Sequence, residues 1–278
     1  LSLIKGGLVY SDVITTVSKT YSREIQTEEY GYGLDGLLRH RNNDLYGVVN
    51  GIDYNVWNPM IDEHIPAKYG TDNLSGKGRC KKTLQRESGL AVKDVPLIGM
   101  ITRLASQKGL DLVQEIMNDL VSMDVQFIIL GTGEPVYHEF FKKTASKYPK
   151  KVAVTLGFDN TLAHKIEAGS DIFLMPSRYE PCGLNQLYSL KYGTIPLVRK
   201  TGGLADTIVN YTPSNLKAGK SNGFVFKEYS SKALLNTIKD VARLYHRNNV
   251  WQKLMLNGMS QDFSWHHSAL EYERLYPV

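Results

Sequence analysis

Val125-Gln-Phe-Ile-Ile-Leu-Gly-Thr-Gly-Glu134, followed by Pro135-Val-Tyr-His-Glu-Phe-Phe-Lys-Lys-Thr-Ala-Ser-Lys147, decides the fold. The apolar run 125–130 has no polar alternation beyond Gln126, which is the pattern of a strand covered on both faces. Two glycines turn the chain, and Pro135 opens a helix predicted over 135–147. The same unit recurs on either side. Strands are predicted at Pro96–Ile101, Val152–Leu156, Asp171–Met175, Thr194–Val198 and Gly223–Phe226. Helices are predicted between them at Asp111–Leu120, Leu162–Ala168, Leu184–Tyr192 and from Leu204 to Val209. Lys77–Ser88 reads as a helix closed by Gly89. Ser231–Arg247, Val250–Gly258 and Trp265–Tyr276 complete the chain as helices. Strand alternating with helix at this spacing defines an α/β fold, a parallel sheet with helices on both faces.

Upstream the signals are shorter. Val13–Val17 is β-branched and reads as a strand; Ser18 is a plausible N-cap for a helix over Tyr21–Thr27. The glycine-rich stretch 31–43 reads as loop. Gly47–Asp53 reads as a short strand ending in the Asn50-Gly51 turn, with Trp57-Asn58-Pro59 and Pro66 keeping the chain irregular.

Composition narrows the class. The 278 residues are 42% hydrophobic and 22% charged, enough to build a substantial core. Apolar runs such as Phe127–Leu130 are too short for a membrane span, and no signal-peptide pattern opens the chain. Without an initiator Met, Leu1 is expected to be an internal position. Cys80 and Cys182 suggest no disulfide framework, and a reducing setting is expected. The net charge of +5 is spread out, without the basic–aromatic clusters that bind nucleic acid.

A parallel sheet binds ligands beyond the carboxyl ends of its strands, so the residues following each strand carry the function. After 96–101 come Arg103 and Lys108, two cations that suit a diphosphate or are simply solvated. Gly131 and Gly133 allow close approach of a ligand or make a tight turn. Val136 breaks the dinucleotide fingerprint, and this argues against an NAD-dependent oxidoreductase. Phe158 either stacks on a base or, more in keeping with its type, caps the core. Met175-Pro-Ser-Arg-Tyr-Glu-Pro-Cys-Gly-Leu184 places Glu180, a candidate acceptor of sugar hydroxyls, ahead of a helix start at Gly183 that is suited to an anion. Cys182 is a packing residue or a ligand contact. Thr201-Gly202-Gly203 repeats the helix-start logic, again for phosphate or for packing.

Together these motifs resemble the bacterial and plant glycogen/starch synthases, retaining glucosyltransferases of the two-domain GT-B fold. The resemblance runs through Tyr10–Ser18, Val49–Asp53 with Trp57-Asn-Pro59, Arg103–Lys108, Pro176–Leu184, Tyr192–Pro196 and Thr201–Asp206. It implies the Rossmann-like C-terminal domain of such an enzyme: residues 1–45 the end of the N-terminal domain, 46–75 a connection, 76–260 the nucleotide-sugar domain, and 261–278 a helix packing back on the N-terminal domain. It implies transfer of glucose from ADP-glucose to the non-reducing end of an α-1,4-glucan, with no metal and no cofactor besides the donor. Arg103 and Lys108 would hold the diphosphate and Glu180 the donor glucose, helped by the backbone at Cys182, Gly183 and Leu184. Thr201, Gly202 and Gly203 would meet the distal phosphate. Gly131, Gly133 and Phe158 would line the nucleotide side. Retention is expected from same-face attack assisted by the leaving phosphate, and Glu180 is not assigned as a nucleophile.

Many related transferases carry a second glutamate eight positions after the first; Tyr188 stands there, favouring the glycogen/starch branch. The family's N-terminal Lys-x-Gly-Gly loop, His and Asp have no counterpart, so this chain is expected to fold around its nucleotide site and transfer little glucose. The resemblance places it in a bacterial cytoplasm or a plastid stroma. Rival readings are a UDP-glucose-dependent transferase of the same fold and a nucleotide-sugar-binding module without turnover.

Overall fold

A computed structural model describes residues 2–276. Leu1, the expected start of the opening segment, and Pro277 and Val278, part of the expected closing segment, lie outside the described residues. The chain opens with α1 (Leu3–Tyr10), β1 (Ile14–Thr16), α2 (Lys19–Glu24), α3 (Glu28–Gly31), α4 (Asp35–His40) and β2 (Leu45–Gly47). β1 and β2 pair in parallel, Ile14 opposite Leu45. After a long irregular connection come α5 (Ser75–Glu87), β3 (Leu97–Ile101), α6 (Leu110–Ser122), β4 (Gln126–Gly131), α7 (Pro135–Lys147), β5 (Val152–Leu156), α8 (Asn160–Gly169) and β6 (Ile172–Met175). The rest is α9 (Asn185–Lys191), β7 (Ile195–Arg199), α10 (Gly202–Thr207), α11 (Pro213–Lys217), β8 (Phe224–Phe226), α12 (Ser231–Tyr245), α13 (Asn248–Met259) and α14 (Trp265–Glu273).

β3 to β8 form one parallel sheet in the order β5-β4-β3-β6-β7-β8. The order reverses between β3 and β6, and that pair opens the crevice where such sheets bind ligands. Its register sets Ile98 against Ile172 and Gly99 against Phe173. Alternate residues serve two cores. Ile98, Phe127, Ile129, Ile172 and Leu197 face α6, α7 and α12; Leu97, Ile128, Leu130, Phe173 and Val198 face the other way, towards α5 and α8. Gly99 has no side chain because Ser170 and Ile166 of the α8 region press on it.

Two local expectations are corrected. Residues 31–43 are not a loop: they hold the end of α3, all of α4 and a 3₁₀ turn at Asn42–Asp44. The left-handed pair Tyr32 and Gly33 merely ends α3, and Leu34 and Leu38 then pack on Ile14 and Leu45. The expected strand Gly47–Asp53 is in register with β1 only at its first residue, because β1 ends at Thr16, whose carbonyl accepts a last bond from Val48 N at 2.9 Å. Beyond it Ile52 alone bridges to Ser264. This brings α14 against residues 49–52, where Ser268 Oγ donates to the Val49 carbonyl at 2.7 Å.

Beneath the crevice lies a buried polar seam. Glu167 of α8 accepts from Ser189 Oγ at 2.7 Å, and its other oxygen has no partner among the described residues. Burial pushes its pKa from 4.5 up to about 8. Lys77 nearby donates to the Ala168 carbonyl at 3.1 Å and to Thr194 Oγ1 at 2.7 Å, and burial pushes its pKa down to about 8. An acid with a raised folded-state pKa keeps its proton after the unfolded chain has lost it, so stability falls as pH rises from 4.5 towards 8. Glu167→Gln is expected to remove that loss. Urea denaturation at several pH values across the window checks it; identical pH slopes for the two proteins would contradict it.

Candidate active site

The site is assembled by loops leaving β3, β4, β5 and β6. After β3 the chain runs through Arg103 to a 3₁₀ turn at Ser106–Lys108 and enters α6 at Gly109, which is left-handed (φ 72°). A Cβ on Gly109 would collide with the Pro176 carbonyl, so the β3 loop lies directly on the β6 loop. The two are sewn together: Arg178 N donates to the Gln107 carbonyl at 2.8 Å, and Gln107 Nε2 to the Tyr179 carbonyl at 3.3 Å. Across this seam Lys108 Nζ meets both oxygens of Glu180, at 3.0 and 2.7 Å. Ser177 Oγ donates to the same carboxylate at 2.8 Å. Glu180 is only 7% exposed, so its charge is compensated inside the protein.

After β4, Gly131 and Gly133 explain themselves by backbone packing. A Cβ on the first would strike the Thr102 carbonyl, and on the second the Leu104 carbonyl. Leu104 N donates to the Thr132 carbonyl at 2.8 Å and Glu134 N to the Leu104 carbonyl at 2.7 Å. The glycines thus let two strand-end loops zip together and leave their edge open to the cavity. After β5, Phe158 is 97% exposed on the rim, which corrects the expectation that it caps the core. Leu156, the last residue of β5, still joins the hydrophobic packing; Gly157 then lifts the chain clear and Asp159 caps α8, accepting from Leu162 N at 2.8 Å.

These loops enclose a cavity of about 910 Å³. Arg103, Lys108, Gly131, Gly133, Phe158, Glu180, Gly183 and Leu184 all line it. Ser177 and Asn185, which sequence reasoning did not single out, line it too. Asn185 Nδ2 donates to the Ile101 carbonyl at 2.7 Å, tying α9 to the end of β3 across the crevice.

Four expected residues are not brought to this cavity. Cys182 is buried behind it, and desolvation pushes its thiol pKa up. Thr201, Gly202 and Gly203 are buried against the far side of the same loop, where Gly203 N donates to the Glu180 carbonyl at 3.1 Å. The position foreseen for a phosphate holds a carboxylate instead. Glu24 of α2 accepts from Thr201 Oγ1 at 3.0 Å and from Gly202 N at 3.0 and 3.2 Å. In return Asp206 of α10 accepts from Thr20 N at 2.9 Å and Thr20 Oγ1 at 2.6 Å, so each helix caps the other. Ser18 Oγ adds a bond to the Pro181 carbonyl at 2.7 Å. Buried Arg199 holds the loop from below, with Nε donating to the Ser177 carbonyl at 2.8 Å and its terminal nitrogen to the Arg178 carbonyl.

Tyr188 has a structural part. Its ring stacks on Trp57 at 3.9 Å, and Trp57 stacks on His164 at 3.9 Å, joining the connecting segment to α8 and α9. His164 Nδ1 in turn lies 2.8 Å from Asp62. A glutamate in place of Tyr188 would set a charge against the indole. No group of three His, Cys, Asp or Glu converges as a metal site, and no helix is long and apolar enough to cross a membrane, among the described residues.

The comparisons fit this geometry. The family described as Glycosyl transferases group 1 matches residues 81–253, and the one described as Starch synthase catalytic domain matches residues 1–40. This chain belongs to the group 1 glycosyl transferases, and its fold is that of GT-B enzymes. Within them it is similar to the glycogen synthases of Thermosipho melanesiensis (52% identical, covering 99% of this chain and 57% of that protein) and Koribacter versatilis (49%, 99% and 56%). The chain therefore spans a little over half the length of these relatives. Among solved structures it is similar to the catalytic domain of starch synthase IV from Arabidopsis thaliana, bound to ADP and acarbose (35% identity, TM-score 0.92, 98% of this chain and 57% of that one). A sucrose-phosphate synthase from Thermosynechococcus elongatus shares the fold at 16% identity and TM-score 0.67.

Because Glu24 closes the start of α10 from within the protein, Glu24→Ala is expected to destabilise the chain by about 2 kcal/mol, the scale of hydrogen bonds to a charged group. Glu24→Gln, which keeps one acceptor oxygen, is expected to lose less. Chemical denaturation ranks the three proteins; equal stabilities would contradict the capping role.

Proposed function

We propose that this chain is the donor-binding half of an α-glucan synthase, which transfers glucose from ADP-glucose to the non-reducing end of an α-1,4-glucan with retention. One observation carries the reading: the Lys108–Glu180 ion pair, with Arg103 beside it, faces a cavity at the strand-order reversal of a chain about half identical to glycogen synthases. The starch synthase relative is bound to ADP and acarbose, and this supports an adenine nucleotide and a glucan as the ligands here.

In this reading Arg103 and Lys108 receive the diphosphate and offset the negative charge that grows on it as the glucosyl–oxygen bond breaks. No metal or further cofactor is required for that neutralisation. The acceptor 4-hydroxyl attacks from the same face, and its proton passes to the departing phosphate oxygen. Glu180 is engaged by Lys108 and Ser177, which suits a carboxylate that binds sugar hydroxyls and fixes the electrostatics better than a free nucleophile. Gly183 and Leu184 offer backbone to the donor, while Gly131, Gly133 and Phe158 frame the nucleotide. Thr201–Gly203 act at one remove, as the seat of Glu24 beneath the Glu180 loop. The bacterial relatives favour a cytoplasmic setting over a plastid one.

Calorimetric titration of ADP-glucose into the chain tests the donor site. The Arg103→Ala, Lys108→Ala double variant is expected to bind about 100-fold more weakly, from the loss of two charge-assisted contacts. UDP-glucose is expected to bind the unaltered chain less well than ADP-glucose. Undiminished binding by the double variant would remove the diphosphate from this cavity.

A further inference from the structure

The peptide that joins Thr132 to Gly133 is held at both of its polar ends. Its carbonyl accepts from Leu104 N at 2.8 Å. Its N–H donates to Nε2 of His138, in the first turn of α7, at 2.9 Å, and Thr132 Oγ1 lies 3.4 Å from the same nitrogen. A backbone N–H can only donate, so Nε2 is the bare nitrogen of a neutral imidazole and Nδ1 carries the proton. Glycine at 133 has no side chain to resist a turnover of this peptide. The two hydrogen bonds therefore set its orientation.

That orientation shapes the donor cavity. Thr132 and Gly133 line it, as do Arg103 and Phe158, whereas half-buried His138 stands behind them and does not line it. The β3 loop thus grips the peptide from one side and α7 from the other.

We infer that His138 is a positioning residue for the nucleotide side of the donor site: neutral, it pins the 132–133 peptide through Nε2, and on protonation it lets that peptide go. The inference rests on the proposed transferase reading and deepens it by making donor binding sensitive to pH. Histidine is the side chain that gains its proton between about pH 8 and 5. An imidazolium carries hydrogen on both nitrogens and cannot accept, so the Gly133 N–H loses its partner. The charged groups on the elements around the ring are Glu134 and Lys142, one turn away on either side along α7, with Glu139 next to it; Arg103 and Lys108 of the β3 loop; and Asp159 of the β5 loop. Glu134 is engaged by Ser106 N at 3.2 Å, Lys108 by Glu180 at 2.7 Å and Asp159 by Leu162 N at 2.8 Å. None of these carboxylates is bonded to Gly133 N, so none replaces the lost acceptor. A charge added at this half-buried edge is largely screened by water and salt, and the lost bond decides the sign.

Calorimetric titration of ADP-glucose at about pH 7.5 and about pH 5.5 tests the role, since this window spans histidine protonation. ADP-glucose suits the test because, unlike free ADP, it has no terminal phosphate that titrates near pH 6. The parent chain is expected to bind about fivefold more weakly at the lower pH, the scale of one hydrogen bond. His138→Gln offers an amide oxygen to Gly133 N at either pH; it is expected to match the parent at the higher pH and to keep that affinity at the lower. His138→Leu offers no acceptor and is expected to bind about fivefold more weakly at both. Glu167, whose pKa of about 8 makes it titrate across the same range, is common to all three proteins and cancels. Equal affinity of the parent at the two pH values, a fall in the Gln variant as large as the parent's, or undiminished binding by the Leu variant would each overturn the role of His138 and leave the donor reading standing. A parent chain that does not bind ADP-glucose at the higher pH would overturn the donor reading and this inference with it.

Discussion

The contact between Lys108 and Glu180 joins two loops that leave the sheet on opposite sides of its reversal point. A carboxylate as buried as Glu180 needs a counter-charge, and a charge left alone there would cost several kcal/mol. Lys108 supplies that charge from the β3 loop, and the two loops are thereby held edge to edge. Gly109 lies against Pro176, Gln107 bonds to Arg178 and Tyr179, and Asn185 reaches back to Ile101. The cavity is thus ordered by the protein's own contacts, and in the proposed reading an incoming diphosphate would compete with Glu180 for Lys108. That competition would couple donor binding to the carboxylate proposed to face the sugar.

The same loop is held from its far side. Glu24 closes the start of α10, α10 carries the carbonyls of Glu180 and Pro181 on the Gly203 N–H, and Arg199 supports Ser177 and Arg178. Residues of α2 match a starch synthase catalytic domain, whereas α10 lies within the glycosyl transferase match. The pairing of Glu24 with Gly202 and of Asp206 with Thr20 is therefore a joint between two sequence modules, and it sits directly under Glu180.

Much of this was legible in the amino-acid order. Strands buried on both faces read as unbroken apolar runs, so β3 to β7 fell near their expected places. Once their ends were known, Arg103, Lys108, Gly131, Gly133 and Glu180 followed as residues of one crevice. What stayed hidden depends on partners far apart in the chain. Glu24 and Thr201 are separated by 177 positions, and nothing local to either announces the bond. Thr201-Gly202-Gly203 looks the same to a reader of sequence whether a phosphate or a side-chain carboxylate closes the helix start. Glycines around α4 suggested a loop because their turn-forming habit is local, whereas the packing of Leu34 and Leu38 on Ile14 and Leu45 is tertiary. Phe158 misled in the opposite direction, since its type favours burial and its position past the edge of β5 does not allow it.

A crystal structure of the chain with ADP tests the central claim most directly. The expected result places the diphosphate within hydrogen-bond distance of Arg103 and Lys108, the purine between the Gly131–Gly133 loop and Phe158, and Glu24 still on Gly202. A diphosphate seated on Thr201–Gly203 with Glu24 displaced, or one away from Arg103 and Lys108 altogether, would contradict it.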